Sequence, residues 1–585
     1  MPNGVRRPQR PKNRYRPARQ NLPAFDHVGM QIPTPTQQPK FTYVRRSPEG
    51  SLLRQVFVAE WPGLQREIRE NNDGLGLPKF ITKAVEKFLG CGILAKGFIR
   101  LYCHSCRTDQ FVAFSCKARG ICASCDGKRM TELGAHIVDS VIPAVPVRQF
   151  VLTFPSTIRY VLAWNAEFRN WVLAAIMRAL EKHYVDQAEA IGAVDPQFAA
   201  ISVLQRFDGA LRVFPHWHIL AADGVWHRTV DGLKFLPAPR LYTELVADLL
   251  ADIVKRVTRQ ADRFFAKRAD ADGKVGPADP VMANLLQYSL FGPQELERVE
   301  PPAVASKSSR PKMKSRNCVD LDGFNLHADV RIHEVARERL EHLVRYVCRP
   351  VIAAKRLEAV GEHKVRITFK NEWKGGVSGV TLTKRDLALR IIAQIPLPRR
   401  ASLRYHGIFG PAAKDREEVV PARGGRVAHN KRKGKAKCRT GAAVAEGADT
   451  IAAPGAAAAM PAQPAIKLIG EAEAKYGNVA NDDGATDSEV YSTKMTWAQA
   501  LKRAFFLDIL ACSCGGRRRV IAAILDSKET ERILKHVNLW RPPGAAVDAE
   551  TIAIRGPPGS FEPENDDLDD TWDGWDEADS VEQAA

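Results

Sequence analysis

Residues 103–125 read CHSCRTDQFVAFSCKARGICASC. Two CxxC pairs, Cys103 with Cys106 and Cys122 with Cys125, stand fifteen residues apart. Each pair presents two thiolates from one tight turn, and two such knuckles at this separation suit tetrahedral Zn2+. The pattern predicts a small stapled module with Cys103, Cys106, Cys122 and Cys125 as ligands. Four thiolates leave no open position for a substrate, so this zinc is expected to be structural. Cys91 and Cys116 are spare; Cys116 either replaces a ligand or packs as a small hydrophobe. Six of the eleven cysteines lie between Cys91 and Cys125. That density reads as metal ligation in a reducing compartment rather than a disulfide framework.

The chain has 585 residues and a formal net charge of +19. Such an excess favours a polyanionic partner, because Lys and Arg neutralise phosphates and release counterions. Lys117 and Arg119 belong to a basic rim around the cysteines that suits nucleic acid. No run of about 18 strongly apolar residues occurs, so no membrane span is expected. The N-terminus lacks the apolar core of a secretory signal, which points to the cytoplasm.

Composition then divides the chain. Residues 1–40 are rich in Pro and Arg and read as a disordered basic arm. Residues 41–140 hold helical patterns and the cysteines, the expected zinc-binding module. Residues 141–411 alternate strand and helix patterns and form the expected main domain, of α+β class. Residues 412–490 become Lys/Arg-rich and then Ala/Gly/Pro-rich, a linker composition. Residues 491–540 predict a small C-terminal module, and the acidic stretch 541–585 predicts a disordered tail.

Within the main domain, VRQFVLTFP reads as a strand and RNWVLAAIMRALEKHYVDQ as a helix. AAISVLQRF and ALRVFPHWHILAADGVW read as two strands joined at Asp208-Gly209. Alternate residues of a strand share a face, so His216 and His218 project together while Trp217 packs on the opposite side. Two imidazoles on one face make half of a metal site, although an isolated pair is more often structural. Gln205 on the neighbouring strand, or Asp208 beside it, can add an oxygen ligand for Mg2+ or Mn2+. Pro215 argues that the histidine strand lies at a sheet edge. A cation held there would polarise a phosphate, which then needs an attacking oxygen. Tyr346 lies on the helix HEVARERLEHLVRYVCRP, which must end near Pro350. It borders the apolar stripe of Leu340, Leu343, Val344 and Val347, so its ring can pack while its hydroxyl reaches a cleft. On spacing alone a border aromatic with a wet hydroxyl is the commoner reading. Arg345 and Arg349 flank it and can hold charge on a phosphate.

The ordered motifs CxxC…FSCK…CxxC, VPVRQFVLTFP, QRF…HWH…DGV, RYVCRP, ITFKNEWKGG and RYHGIFGP resemble one family. This is the rolling-circle HUH transposases of the insertion-sequence ninety-one type and their common-region relatives. The resemblance covers roughly residues 80–411, with a trace at 500–525. It implies a ferredoxin-like HUH nuclease domain, an antiparallel sheet with helices on one face. It further implies nicking and rejoining of single-stranded DNA through a 5′-phosphotyrosine on Tyr346, with His216 and His218 as metal ligands. Members with two tyrosines have the second one four residues earlier. Here that position is His342, so the chain resembles the single-tyrosine subgroup. A free 3′-hydroxyl or a second protomer of a homodimer would then take the other transfer. Arg404, Tyr405 and His406 match the RYHG element, expected to contact DNA. The partners implied are single-stranded and hairpin DNA at element ends and target DNA, in a bacterial, nucleoid-associated setting. CSCGG departs from the usual CxxCGG by one residue, so Cys512 and Cys514 are not expected to form a second metal site. A plasmid replication initiator or relaxase would use the same chemistry. A zinc-dependent DNA-binding regulator would use none.

Overall fold

A computed structural model describes residues 48–268, 277, 279–291, 310–373, 376–398, 400–420, 498–499, 502 and 508–540. The expected basic arm at 1–40, most of the 412–490 linker and the acidic tail at 541–585 lie outside the described residues. Helices α1 (Leu52–Glu70) and α2 (Lys79–Leu89) come first. A hairpin follows, β1 (Phe98–Cys103) and β2 (Thr108–Ala113), then α3 (Ala123–Ser140). The main sheet begins at β3 (Val147–Thr153), every residue of which is buried. Pro155 ends that run, and α4 (Ser156–Trp164) and α5 (Ala166–Glu189) cross to the next strand. The Asn165 side chain accepts the Phe168 N–H at 2.8 Å and so caps the start of α5.

β4 (Ala199–Phe207) and β5 (Val213–Ala222) form the hairpin that carries the histidine pair. A second hairpin, β6 (Gly224–Thr229) and β7 (Gly232–Pro237), leads to α6 (Thr243–Arg268) and α7 (Pro280–Phe291). Short strands β8 (Lys312–Ser315), β9 (Cys318–Leu321), β10 (Phe324–His327) and β11 (Arg331–Ile332) precede α8 (Arg337–Val347). A three-stranded sheet follows, β12 (Leu357–Val360), β13 (Lys364–Trp373) and β14 (Val377–Thr383). α9 (Lys384–Gln394), β15 (Leu403–Gly407) and α10 (Arg416–Val419) come next, and β16 (Arg518–Ile524) and α11 (Ser527–His536) lie near the C-terminus.

The main sheet is antiparallel, in the order β15-β4-β5-β3-β10-β9-β8, with β11 also paired to β3. β5 is therefore central, not an edge strand as Pro215 suggested. A register shift between Gln205 and Phe207 leaves Pro215 outside the β4 ladder, and the β3 pairing begins only at Trp217. Proline is tolerated at such a bulge because it removes no ladder hydrogen bond.

Helices cover both faces of the sheet, which corrects the expectation of one. Trp217, Ile219 and Ala221 share a buried cluster with α4, α5 and α6. Leu220 and Ala222 face the other way and pack with Leu340, Leu343 and Val344 of α8 and Ile137 and Val138 of α3. The second layer arises because α8 and α3 each carry an apolar stripe that must be buried. It brings α8 onto the histidine face. At the end of β5, Asp223 is buried beneath Arg148, which bonds it through Nε at 2.8 Å and Nη2 at 3.0 Å. Arg331 and the Tyr184 hydroxyl also donate to this carboxylate.

Candidate active site and metal centres

The pleat of β5 sets His216 and His218 side by side, ring centroids 5.0 Å apart. Trp217 points oppositely and meets Phe154 edge-on at 5.4 Å. His216 Nδ1 lies 2.8 Å from the Phe214 carbonyl, which can only accept. The neutral ring therefore keeps its lone pair on Nε2, the form a metal binds. His218 Nδ1 meets the Gln149 side-chain amide at 2.7 Å. Burial pushes the His216 pKa down to about 4, with Arg349 and Arg159 adding to the effect. Burial, then His216 and Arg349, hold His218 well below its ordinary value. Both imidazoles are thus neutral at pH 7, as ligation requires.

Tyr346 comes to this pair from α8. Its ring stands at 86° to His218 with centroids 6.2 Å apart. The Arg349 guanidinium lies over the Tyr346 ring, 4.7 Å from its centroid. Gln205 is in register with His216 across the β4–β5 ladder. Its Nε2 donates to the Val347 carbonyl at 2.9 Å and the Tyr346 carbonyl at 3.3 Å, tying the end of α8 to the hairpin. Its Oε1 is buried with no hydrogen-bond partner. An orphaned amide oxygen beside two neutral imidazoles suits an oxygen-preferring divalent cation. Asp208 is committed elsewhere, accepting Arg212 Nε at 2.7 Å and the Arg212 N–H at 2.8 Å. Among the described residues, no trio of close His, Cys, Asp or Glu ligand atoms includes both histidines. Burial pushes the Cys348 thiol up to about 12.

The cysteines sort differently from their spacing. Cys91, Cys116, Cys122 and Cys125 converge in one cluster, with all four sulfurs within 4.8 Å of one another. Cys103, Cys106, Cys512 and Cys514 converge in a second. The expected quartet of Cys103, Cys106, Cys122 and Cys125 does not form. The reason is the β1–β2 hairpin. Cys103 and Cys106 sit at its tip and Cys91 and Cys116 at its base, where Gly92 N bonds Phe114 O. Strands of this length separate tip from base by roughly 20 Å. The first turn of α3 delivers Cys122 and Cys125 to the base, so Cys91 and Cys116 complete that site.

Two family matches follow the same division. Residues 64–154 match the family described as "Transposase zinc-binding domain", of the IS91 type, and residues 199–417 match "Putative transposase". The chain belongs to the IS91-type transposases. No curated protein and no solved structure matches it. The zinc-binding match spans the whole first cluster, which supports a structural Zn2+ there. The transposase match contains Gln205, His216, His218, Tyr346 and the RYHG element. A transposase binds and cuts DNA. No helix among the described residues of this IS91-type transposase is long and apolar enough to cross a membrane.

Of the transposase's expected DNA contacts, only some face a cleft. Arg345 turns onto α3, where Nη2 reaches Thr131 Oγ1 at 3.3 Å and its stem fills the space above Gly134. Arg119 bonds the carbonyls of Arg400 and Leu397, joining the zinc module to the segment before β15. Lys117 is exposed. Strand alternation splits the RYHG element. Tyr405 packs on the histidine face, while Arg404 and His406 point to α5 and line a cavity of about 390 Å3. His406 Nε2 and Ser202 Oγ are hydrogen-bonded at 2.7 Å.

Sequence reasoning missed Gln149 and, Arg404 apart, an arginine cluster. Arg206, Arg400 and Arg404 depress Arg169, whose pKa is pushed down to about 9 chiefly by burial. These four come from three separate segments, so no basic run announces them. None has a carboxylate partner among the described residues. Gln149 lies in a strand whose every residue is buried, next to Arg148, and a polar pair in so apolar a run was the available signal.

Proposed function

We propose that this transposase nicks and rejoins single-stranded DNA at element ends, with Tyr346 as nucleophile. The observation that carries the reading is the meeting of Tyr346 with His218 across two segments far apart in sequence. The strand order β4-β5-β3-β10, with α4 and α5 between β3 and β4 and α6 between β5 and β10, supports a ferredoxin-like HUH domain. His216 and His218, with Gln205 Oε1 as third ligand, suit Mg2+ or Mn2+. Such an ion supplies a Lewis acid for the scissile phosphate. The residues supply the rest. Gln205 holds the end of α8 against the hairpin. Arg349 places a fixed positive charge beside the phenol, where it stabilises the phenolate and the negative phosphoryl oxygens. The Tyr346 oxygen attacks phosphorus, its proton passes to solvent, and the P–O3′ bond breaks. The departing 3′-oxygen gains a proton, and Tyr346 holds the 5′-phosphate in an ester that conserves the energy of the broken linkage. Attack by a free 3′-hydroxyl on that ester rejoins the strand and restores the phenol. The position of the second tyrosine of two-tyrosine relatives holds His342, so a free hydroxyl or a second protomer carries the other transfer. Hairpin ends and target DNA are the expected substrates.

Incubation with a single-stranded terminus labelled at its 3′ end, downstream of the cleaved phosphate, and Mg2+ or Mn2+ tests this. Label should move onto the protein in a protease-sensitive adduct and stay off Tyr346→Phe. The phenylalanine ring keeps the packing against His218, so the variant should melt as the wild type does. An adduct that persists in Tyr346→Phe removes the nucleophile. DNA binding by the wild type without any adduct replaces the nuclease with a regulator.

A further inference from the structure

We infer that this transposase carries a second tetrathiolate zinc, held by Cys103, Cys106, Cys512 and Cys514, that staples its C-terminal segment to the zinc-binding domain. Cys512 and Cys514 lie outside both family matches, which end at residues 154 and 417.

The two halves of the site are separately prepared. Cys103 ends β1 and Cys106 sits in the hairpin turn, where Arg107 adopts a positive φ of 57°. Cys512 to Gly516 form a second tight turn. Cys512 N bonds Gly516 O at 2.9 Å, Gly515 N bonds Cys512 O at 3.0 Å, and Gly515 has φ of 87°. A side chain at Gly516 would stand 2.6 Å from Ser105 Oγ and 3.3 Å from Cys103 Sγ, so only glycine lets the turns approach. Backbone amides point at the sulfurs, those of Cys106 and Ser105 at Cys103, and that of Cys514 at Cys512. Amides aimed at sulfur favour thiolates.

The sulfurs meet at 3.6 Å for Cys103 with Cys514 and 3.5 Å for Cys106 with Cys512. A disulfide needs about 2.05 Å, and all four are free thiols. Packing does not explain the cluster either, because Cys514 is exposed and Cys106 half-buried. A tetrahedral soft-ligand ion does. The x1 spacing of CSC, which argued against a site, matters less once the other two ligands come from β1. The consequence is structural. Cys103 and Cys514 are 411 positions apart. β16 pairs with β1 as the edge of a three-stranded sheet, and α11 covers it through Leu534 on Phe98 and Phe111. Residues 508–540 are too few for a core of their own; below about 40 residues a disulfide, a metal or association with another unit is usually needed.

Metal analysis of the full-length protein tests the site without reference to catalysis. The wild type should carry two zinc ions per chain, one for each cluster. Cys512→Ser combined with Cys514→Ser should carry one, and the β1 amides should exchange hydrogen faster. Cys514→His keeps a ligand and guards against simple misfolding. It should retain both ions, and its cobalt-substituted form should lose part of the thiolate charge-transfer band. A single zinc in the wild type overturns the inference. So does iron in place of the second zinc, or two zinc ions retained in the double serine variant.

Discussion

Gln149 and His218, on neighbouring strands, meet at 2.7 Å through a buried amide and Nδ1. Gln149 is fully buried and its Oε1 has no hydrogen-bond partner. Either end of the amide can face the ring, since the two are interchangeable by rotation. With Oε1 accepting Nδ1–H, His218 presents its Nε2 lone pair on the same side as His216. Partners of this kind set the tautomer and orientation of a metal ligand.

Gln149→Leu preserves the volume and deletes that partner. It should weaken Mg2+ or Mn2+ activation of adduct formation by about 10–100-fold. Titration of the adduct rate with Mn2+ measures this, with zinc content as the control that should not move. An unchanged metal requirement would show that Gln149 does not orient His218.

Arg345 and Arg349 should behave as opposites. Arg349→Gln should slow adduct formation at saturating DNA by about 100–1,000-fold, with little change in melting. Arg345→Gln should instead loosen the contact of α8 with α3 and lower stability, leaving the rate per folded molecule near wild type. Single-turnover rates together with thermal melts separate them. The reverse pattern would move the phosphate contact to Arg345.

Asp223→Asn leaves the Arg148 charge buried, since the side chains are only 7% and 2% exposed. Removing one partner of a buried ion pair costs about 3–5 kcal/mol. Urea unfolding should show that loss. A change typical of exposed pairs, under about 1 kcal/mol, would mean that water reaches the network.

Acidification should destabilise the fold partly through His406. Burial, with Arg404 nearby, lowers its pKa from 6.5 to about 4. The unfolded chain then takes the proton first as pH falls, so stability present above pH 6.5 is lost progressively toward pH 4. His406→Gln can still bond Ser202 but does not titrate. Its unfolding midpoint should fall less than that of the wild type over this window. Parallel pH profiles would exclude His406 from the effect.

The alternation of apolar and polar residues was enough to place strands, the helix bearing Tyr346, and the shared face of His216 and His218. Each depends on backbone periodicity, which is local and is written in consecutive residues. Residue chemistry likewise announced thiolate ligands for zinc. Which cysteines meet, however, depended on the hairpin that puts Cys103 and Cys106 at its tip and on the return of Cys512 and Cys514 to β1. The central place of β5, the second helical layer, the partnership of Gln149 with His218 and the opposite directions of Arg345 and Arg349 were decided the same way. They arise from contacts between segments tens to hundreds of residues apart, and no local spacing encodes which distant partner a side chain will find.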